Sequence, residues 1–243
     1  MKKYLADLHI HSLLSPCAEV EMTPRNIILN AQKIGVDIIA ITDHNACDNV
    51  PAAIEAAALS NSNILVLPGM EVTSKEEAHF VVLFEKMRQL KEFERFVKEN
   101  MSELKNKPDI FGAQFIVDSD DNFIAEKEDL LVSSLNASFV EISEKVNGLG
   151  GIVFASHVDR PTYSIISQLG FIPADLDLAA VELSTNLTDI AKAKQMFPSI
   201  SNFPIIINSD AHTMYDFVNG PKTNFYLNEL TFNEIKKYLK SLL

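Results

Sequence analysis

Short apolar runs rich in β-branched residues recur along the chain, each followed by polar residues and then by a stretch with helical spacing. This alternation constrains the fold more than any other feature. The runs lie at Tyr4–Leu8, Val36–Thr42, Asn63–Leu67, His79–Phe84, Gly151–Ala155, Ala179–Leu183 and Pro204–Asn208. A helix is predicted from Pro24 to about Lys33, with Thr23 as its N-cap and Gly35 ending it. Others are expected at Pro51–Leu59, Gln89–Leu104, Ser164–Leu169, Thr188–Met196 and Thr231–Leu242. Strands apolar on both faces and separated by helices predict an α/β fold with a largely parallel sheet. So many units in 243 residues favour a closed, barrel-like arrangement over an open sheet. In such barrels the functional site lies at the C-terminal strand ends.

One stretch departs from the alternation. Gly112–Lys127 reads as a hairpin around the acidic turn Asp118-Ser119-Asp120-Asp121, followed by a helix at about Glu126–Val146. Residues 112–146 are therefore expected to be an insertion within a single domain spanning 1–243.

Composition narrows the function classes. Hydrophobic residues make up 47% of the chain and charged residues 22%, an ordinary globular balance that argues against disorder. Lys and Arg total 21 against 33 Asp and Glu, a formal net charge of −12. Such a surface should repel phosphate backbones, so duplex nucleic acid is not expected as a partner. The apolar runs are strand-sized and too short for a bilayer, and the N-terminus reaches Asp7 before any long apolar stretch. Cys17 and Cys47 cannot form a disulfide framework. A cytoplasmic protein without membrane partners is the expectation.

The six histidines carry the chemical signal. His9 and His11 form His-x-His at the end of the first strand, where alternation places both on one face. His44, His157 and His212 close or follow predicted strands, and His79 opens one. Asp7, Asp43, Glu71 and Asp210 lie in the same places. Imidazoles and carboxylates converging on one barrel mouth suit a transition-metal site. A single such histidine is more often structural, but none of the six falls within a predicted helix. Other chemistries lack support: Gly148-Leu149-Gly150-Gly151 precedes a strand and reads as a turn, and no Gly-x-Ser-x-Gly elbow is present.

Taken in order, Asp7-Leu8-His9-Ile10-His11-Ser12, Thr42-Asp43-His44-Asn45, Pro68-Gly69-Met70-Glu71, His79, Ser156-His157 and Ser209-Asp210-Ala211-His212 resemble the motifs of the PHP (polymerase and histidinol phosphatase) superfamily. The resemblance implies a distorted seven-stranded (β/α)7 barrel, similar to a TIM barrel, holding two or three divalent ions of zinc, manganese or iron. It implies hydrolysis of phosphoesters, chiefly phosphomonoesters of small molecules, nucleotides or an oligonucleotide end. By the same resemblance His9, His11, Glu71 and Asp210 hold one metal. Glu71 bridges to a second, completed by His79 and His157, and His44 with His212 holds a third. Family members commonly carry Asp or His five or six residues beyond His-x-His. Here Pro16 and Cys17 stand there, which leaves Cys17 or Glu19 as candidates for the third ion.

Arg160, three residues past His157, is the best-placed receiver for a phosphate, followed by Arg25. Asp43 and His44 are the candidates for protonating a leaving group. Two readings compete. Amidohydrolase barrels also use His-x-His for C–N hydrolysis but usually add a carboxylated lysine, and no lysine here sits at a predicted strand end. A non-catalytic module stabilised by metals is the other.

Overall fold

In a computed structural model, which describes residues 1–173 and 176–243, the seven predicted runs all form strands. The strands are β1 (Lys2–Ile10), β2 (Ile38–Ile41), β3 (Leu65–Thr73), β4 (His79–Leu83), β5 (Phe115–Val117), β6 (Phe123–Glu126), β7 (Ile152–Ala155), β8 (Ala180–Leu183), β9 (Ile205–Ile207) and β10 (Thr223–Leu227). The helices are α1 (Pro24–Ile34), α2 (Val50–Leu59), α3 (Met87–Asn100), α4 (Pro108–Phe111), α5 (Phe139–Gly148), α6 (Ile165–Leu169), α7 (Ile190–Met196), α8 (Met214–Asn219) and α9 (Phe232–Lys240). No helix among the described residues is long and apolar enough to cross a membrane.

Eight strands form one sheet in the order β10-β1-β2-β3-β4-β7-β8-β9. It curls until the chain beyond β9 reaches the end of β1 and nearly closes it: Ala211 bridges Ile10 in parallel, and the His11 N–H donates to the Ala211 carbonyl at 2.9 Å. The expected distorted (β/α)7 barrel is thus present, with β10 added along the first half of β1. The sheet is less parallel than expected, because β4 pairs antiparallel with both β3 and β7. The cause is chain length. Only residues 74–78 join β3 to β4, whereas a parallel crossover needs a dozen or more.

Apolar residues sort to the two faces of the sheet. Tyr4, Ala6, Leu8, Ile38, Ala40, Leu67, Val81 and Phe154 form one buried cluster with Phe232, Ile235 and Leu239 of α9. Lys236 Nζ reaches the carbonyls of Gly150 and Gly151, just before β7, so α9 lies at the N-terminal strand ends. Ile39, Ile41, Phe80, Val82 and Val153 pack with the helices, including Ile27 and Ile28 of α1. Helix α1 begins and ends as predicted: Thr23 Oγ1 accepts from the Asn26 N–H at 3.3 Å, and Gly35 is left-handed.

The region following the hairpin differs from expectation. β5 and β6 pair only with each other, as predicted, but residues 127–138 are not helical and α5 begins at Phe139. Side chains take the place of helical hydrogen bonds in that stretch. Gln114 donates to the carbonyls of Lys127 and Asp129 and accepts from the Leu131 N–H, while Asn45 donates to the carbonyls of Leu131 and Ser133. The capping box of Ser138 and Glu141 then starts α5.

The same region docks onto the loop after β1 through Gly112, whose φ of +100° lies in a range that side chains rarely adopt. A Cβ there would stand 2.1 Å from the Pro16 carbonyl oxygen. Gly112→Ala should therefore destabilise the fold by about 2–4 kcal/mol, read as a lower urea midpoint. An unchanged midpoint would show that the loops separate freely.

Candidate metal centre

Each predicted site residue lies at the same end of the barrel. A register shift between Asp7 and Ile10 changes the facing of β1. Tyr4, Ala6 and Leu8 therefore face the α9-side cluster, while Ile10 packs with the helices and His9 and His11 turn to the mouth. His44 bridges Glu71 beyond β2, and His157, Asp210 and His212 follow β7 and β9. His79 opens β4, and it reaches the same end because β4 runs antiparallel.

Glu71 is the hub, only 1% exposed. Its Oε1 lies 3.2 Å from His9 Nε2, 3.2 Å from His79 Nδ1 and 3.6 Å from His157 Nε2. Its Oε2 lies 3.2 Å from His44 Nδ1 and 3.4 Å from His11 Nε2. Asp210 Oδ1 stands 3.2 Å from His9 Nε2, 3.3 Å from His11 Nε2 and 3.7 Å from His212 Nδ1. Donor atoms gather in three groups: His9, His11 and Glu71; His44, Glu71 and His79; and His11, His44 and His212.

This donor set fits divalent cations. Glu71 Oε1 and His44 Nδ1, which face this cluster, are buried and make no hydrogen bond, an arrangement that is costly unless another partner takes their lone pairs. His9 Nε2 and His11 Nε2 face each other at 3.2 Å. Two ligands of a tetrahedral zinc ion stand about 3.3 Å apart, so the spacing is that of neighbouring ligands. Imidazole and carboxylate together suit zinc, manganese or iron.

The outward ring nitrogens are anchored. Glu182 Oε2 lies 2.9 Å from His9 Nδ1, and Glu182 also accepts from the His157 N–H and from Asn208 Nδ2. Ser15 Oγ lies 3.0 Å from His11 Nδ1 and donates to Asp43 Oδ1 at 2.7 Å. His212 Nδ1 lies 2.9 Å from the Asp210 carbonyl. These partners fix ring orientation, and for His9 and His11 they direct Nε2 into the cluster.

Without cations, protons balance the charge. Burial opposes a charge on His9, but Glu182, Asp210 and Glu71 outweigh it and raise the imidazole well above its ordinary range. His11, likewise buried but hydrogen-bonded by Asp210 and Glu71, rises to about 9. Burial and the charge on His11 lower His44 well below its ordinary range and His212 to about 4. Burial would raise Glu71 and Asp210, yet the surrounding histidines hold both carboxyls well below theirs.

Several expected roles change. Asp43 is fully buried, and its oxygens accept from the Ser12 N–H, Ser12 Oγ and Ser15 Oγ at 2.6–2.7 Å. It anchors the first loop and stands behind His11 through Ser15, and burial raises its carboxyl above the ordinary range. Arg160 is at the mouth with its Nη2 2.6 Å from Asp210 Oδ2, whereas Arg25 pairs with Asp120 on the hairpin turn. Neither Cys17, exposed on its loop, nor Glu19 joins any of the three donor groups. Glu182, Ser15, Asn208 and Lys222 were not singled out from sequence. Lys222 Nζ lies 3.0 Å from Asp7 Oδ2, and Asp7 in turn accepts from the N–H and hydroxyl of Ser209, next to Asp210.

Comparison with known proteins adds independent findings. The family model of the PHP domain matches residues 7–163. The 5'-3' exoribonuclease Rnm of Salmonella typhimurium is 33% identical over 73 residues, 30% of this chain and 24% of that protein. The lesion-specific endonuclease PfuEndoQ of Pyrococcus furiosus superposes on 100% of this chain with a TM-score of 0.70 at 22% identity. A second endonuclease Q structure, in complex with a 27-mer duplex substrate with an abasic lesion at the active site, matches with a TM-score of 0.70 at 21% identity. The chain covers 57% of each of these two endonuclease chains. The expectation that an acidic chain excludes duplex nucleic acid is therefore corrected, since a protein with this fold holds a duplex at its active site.

Two outcomes follow from the site. His9 and His11 must lose protons to accept a cation, so metal affinity of the chelated chain should rise with pH from 6.5 toward about 9. Competition titration with a chromophoric chelator checks it, and a pH-independent affinity would remove these histidines from the ligand set. Glu182→Gln removes the charge behind His9 and should weaken metal binding about 10- to 100-fold. Unchanged affinity would make Glu182 purely structural.

Proposed function

The chain belongs to the PHP domain family, and from that premise we propose that it is a metal-dependent hydrolase of phosphoesters. The observation that carries the reading is Glu71 Oε1, buried without a hydrogen bond and within 3.6 Å of nitrogens from His9, His79 and His157. In this reading His9, His11, Glu71 and Asp210 hold one divalent ion. Glu71, His79 and His157 hold a second, and His44 with His212 a third, which His11 also faces. Ions bound there would neutralise phosphoryl charge and lower the pKa of water at the site.

The chain's own residues supply the remainder. Glu182 and Ser15 keep His9 and His11 in one ring orientation. Arg160, with 35% of its side chain exposed, offers N–H groups at the mouth beyond those directed at Asp210, and its planar fork suits a phosphoryl oxygen. His212, low in pKa and 27% exposed, is neutral at pH 7 and lines the same opening. The histidines beneath are sunk into the barrel, which favours an ester that presents a terminal phosphate. A phosphomonoester of a nucleotide or of an oligonucleotide end is the substrate class we assign. The partial match to an exoribonuclease supports phosphoester hydrolysis and a substrate that carries nucleotides.

Chelated protein, reloaded in turn with zinc, manganese and iron(II), should turn over p-nitrophenyl phosphate only when loaded. Glu71→Gln should lower the rate at least about 100-fold, with loss of more than one bound ion by elemental analysis. Full activity after chelation, or a Glu71→Gln protein with normal rate and metal content, would overturn the proposal.

A further inference from the structure

The loop between β7 and α6 presents an aromatic ring that the site chemistry does not use. Tyr163 stacks on His79 with ring centroids 4.9 Å apart and planes 26° from parallel, and it remains 51% exposed. His79 Nδ1 stands 3.2 Å from Glu71, so the phenol ring lies one imidazole away from the hub. Tyr163 has a φ of +55°, a left-handed conformation that a bulky residue adopts only where its surroundings impose it.

Here the surroundings do impose it. The Tyr163 carbonyl accepts from the His79 N–H at 2.9 Å. Ser164 Oγ donates to the Arg160 carbonyl at 2.8 Å. Asp159 accepts both the N–H and the hydroxyl of Ser184 at 2.6 Å. The loop is thereby tied to β4, to itself and to the end of β8. Its ring is held in the open, where it fills no core.

We infer that Tyr163 is a stacking platform for the nucleobase of a substrate whose phosphate sits at the histidine cluster, and that it sets a preference for nucleotides over other phosphate esters. The inference rests on the phosphoesterase reading. Arg160, three residues earlier on the same loop, faces the phosphate position through Asp210, and a ribose spans the interval from phosphate to base. A flat aromatic face accepts any base, so selectivity falls on the presence of a base and not on its identity. Because the backbone is already fixed, little ordering is needed when the base arrives.

Competition against p-nitrophenyl phosphate turnover by the metal-loaded protein tests this. Adenosine 5'-monophosphate should inhibit at least about fivefold more tightly than ribose 5-phosphate, which carries the same phosphate without a base. Tyr163→Leu keeps an apolar cover on His79 but has no flat face, so the ratio of the two inhibition constants should fall toward one. Tyr163→Phe should retain it, with metal content equal in all three proteins. A ratio near one in the wild type, or one that survives in Tyr163→Leu, would overturn the inference and leave the phosphoesterase reading standing. Absence of any turnover by the loaded wild type would instead remove that reading, and the inference with it.

Discussion

The carboxylate of Glu71 is placed where no solvent reaches it, among nitrogens of His9, His11, His44, His79 and His157. A buried carboxylate without countercharge loses several kcal/mol of hydration, so the barrel must bring positive charge to it. Much of the fold's irregularity serves that end. In an all-parallel barrel the first residue of a strand lies at the end opposite the site. The short connection at residues 74–78 reverses β4, and its first residue, His79, pairs with Thr73 at the mouth. The register shift in β1 does the equivalent for His9 and His11 by turning them inward after Leu8. Left-handed backbone at Asn45, His157, Tyr163 and Asp210 gathers at the same end, where packing and hydrogen bonds hold conformations that isolated residues avoid.

What the sequence disclosed and what it concealed divide along a physical line. Histidines at strand ends were legible because strand alternation is local and the chemistry of imidazole is specific. The anchors behind them were harder to see. Glu182 is a lone acid within an apolar strand, and that anomaly was a usable signal, since a carboxylate in a buried strand requires a partner. Lys222 gave no such sign: its partner Asp7 lies near the other end of the chain, and only closure of the barrel brings them together. β10 is hidden in the sequence for a related reason, since its mixture of exposed and buried positions becomes a strand only against β1. Residues 127–138 fall within an expected helix, yet Gln114 and Asn45 satisfy their backbone from a distance. Apolar spacing says nothing about side chains that arrive from elsewhere.

The net charge of −12 misled for a reason that the site makes plain. Asp7, Asp43, Glu71, Glu182 and Asp210 all count toward it, but all are buried, and none presents a free charge to an approaching phosphate. Asp7 is matched by Lys222, Asp43 by hydroxyls and an amide, and Asp210 by Arg160 and two histidines. What a substrate meets is the local field at the mouth, where each divalent cation held as we propose would add two positive charges beside Arg160. A chain can thus be acidic as a whole and still draw a phosphate to one point on its surface. The same cations would take over from the protons on His9 and His11 as the countercharge of Glu71, so the residue that most needs compensation is also the one that would place the ions.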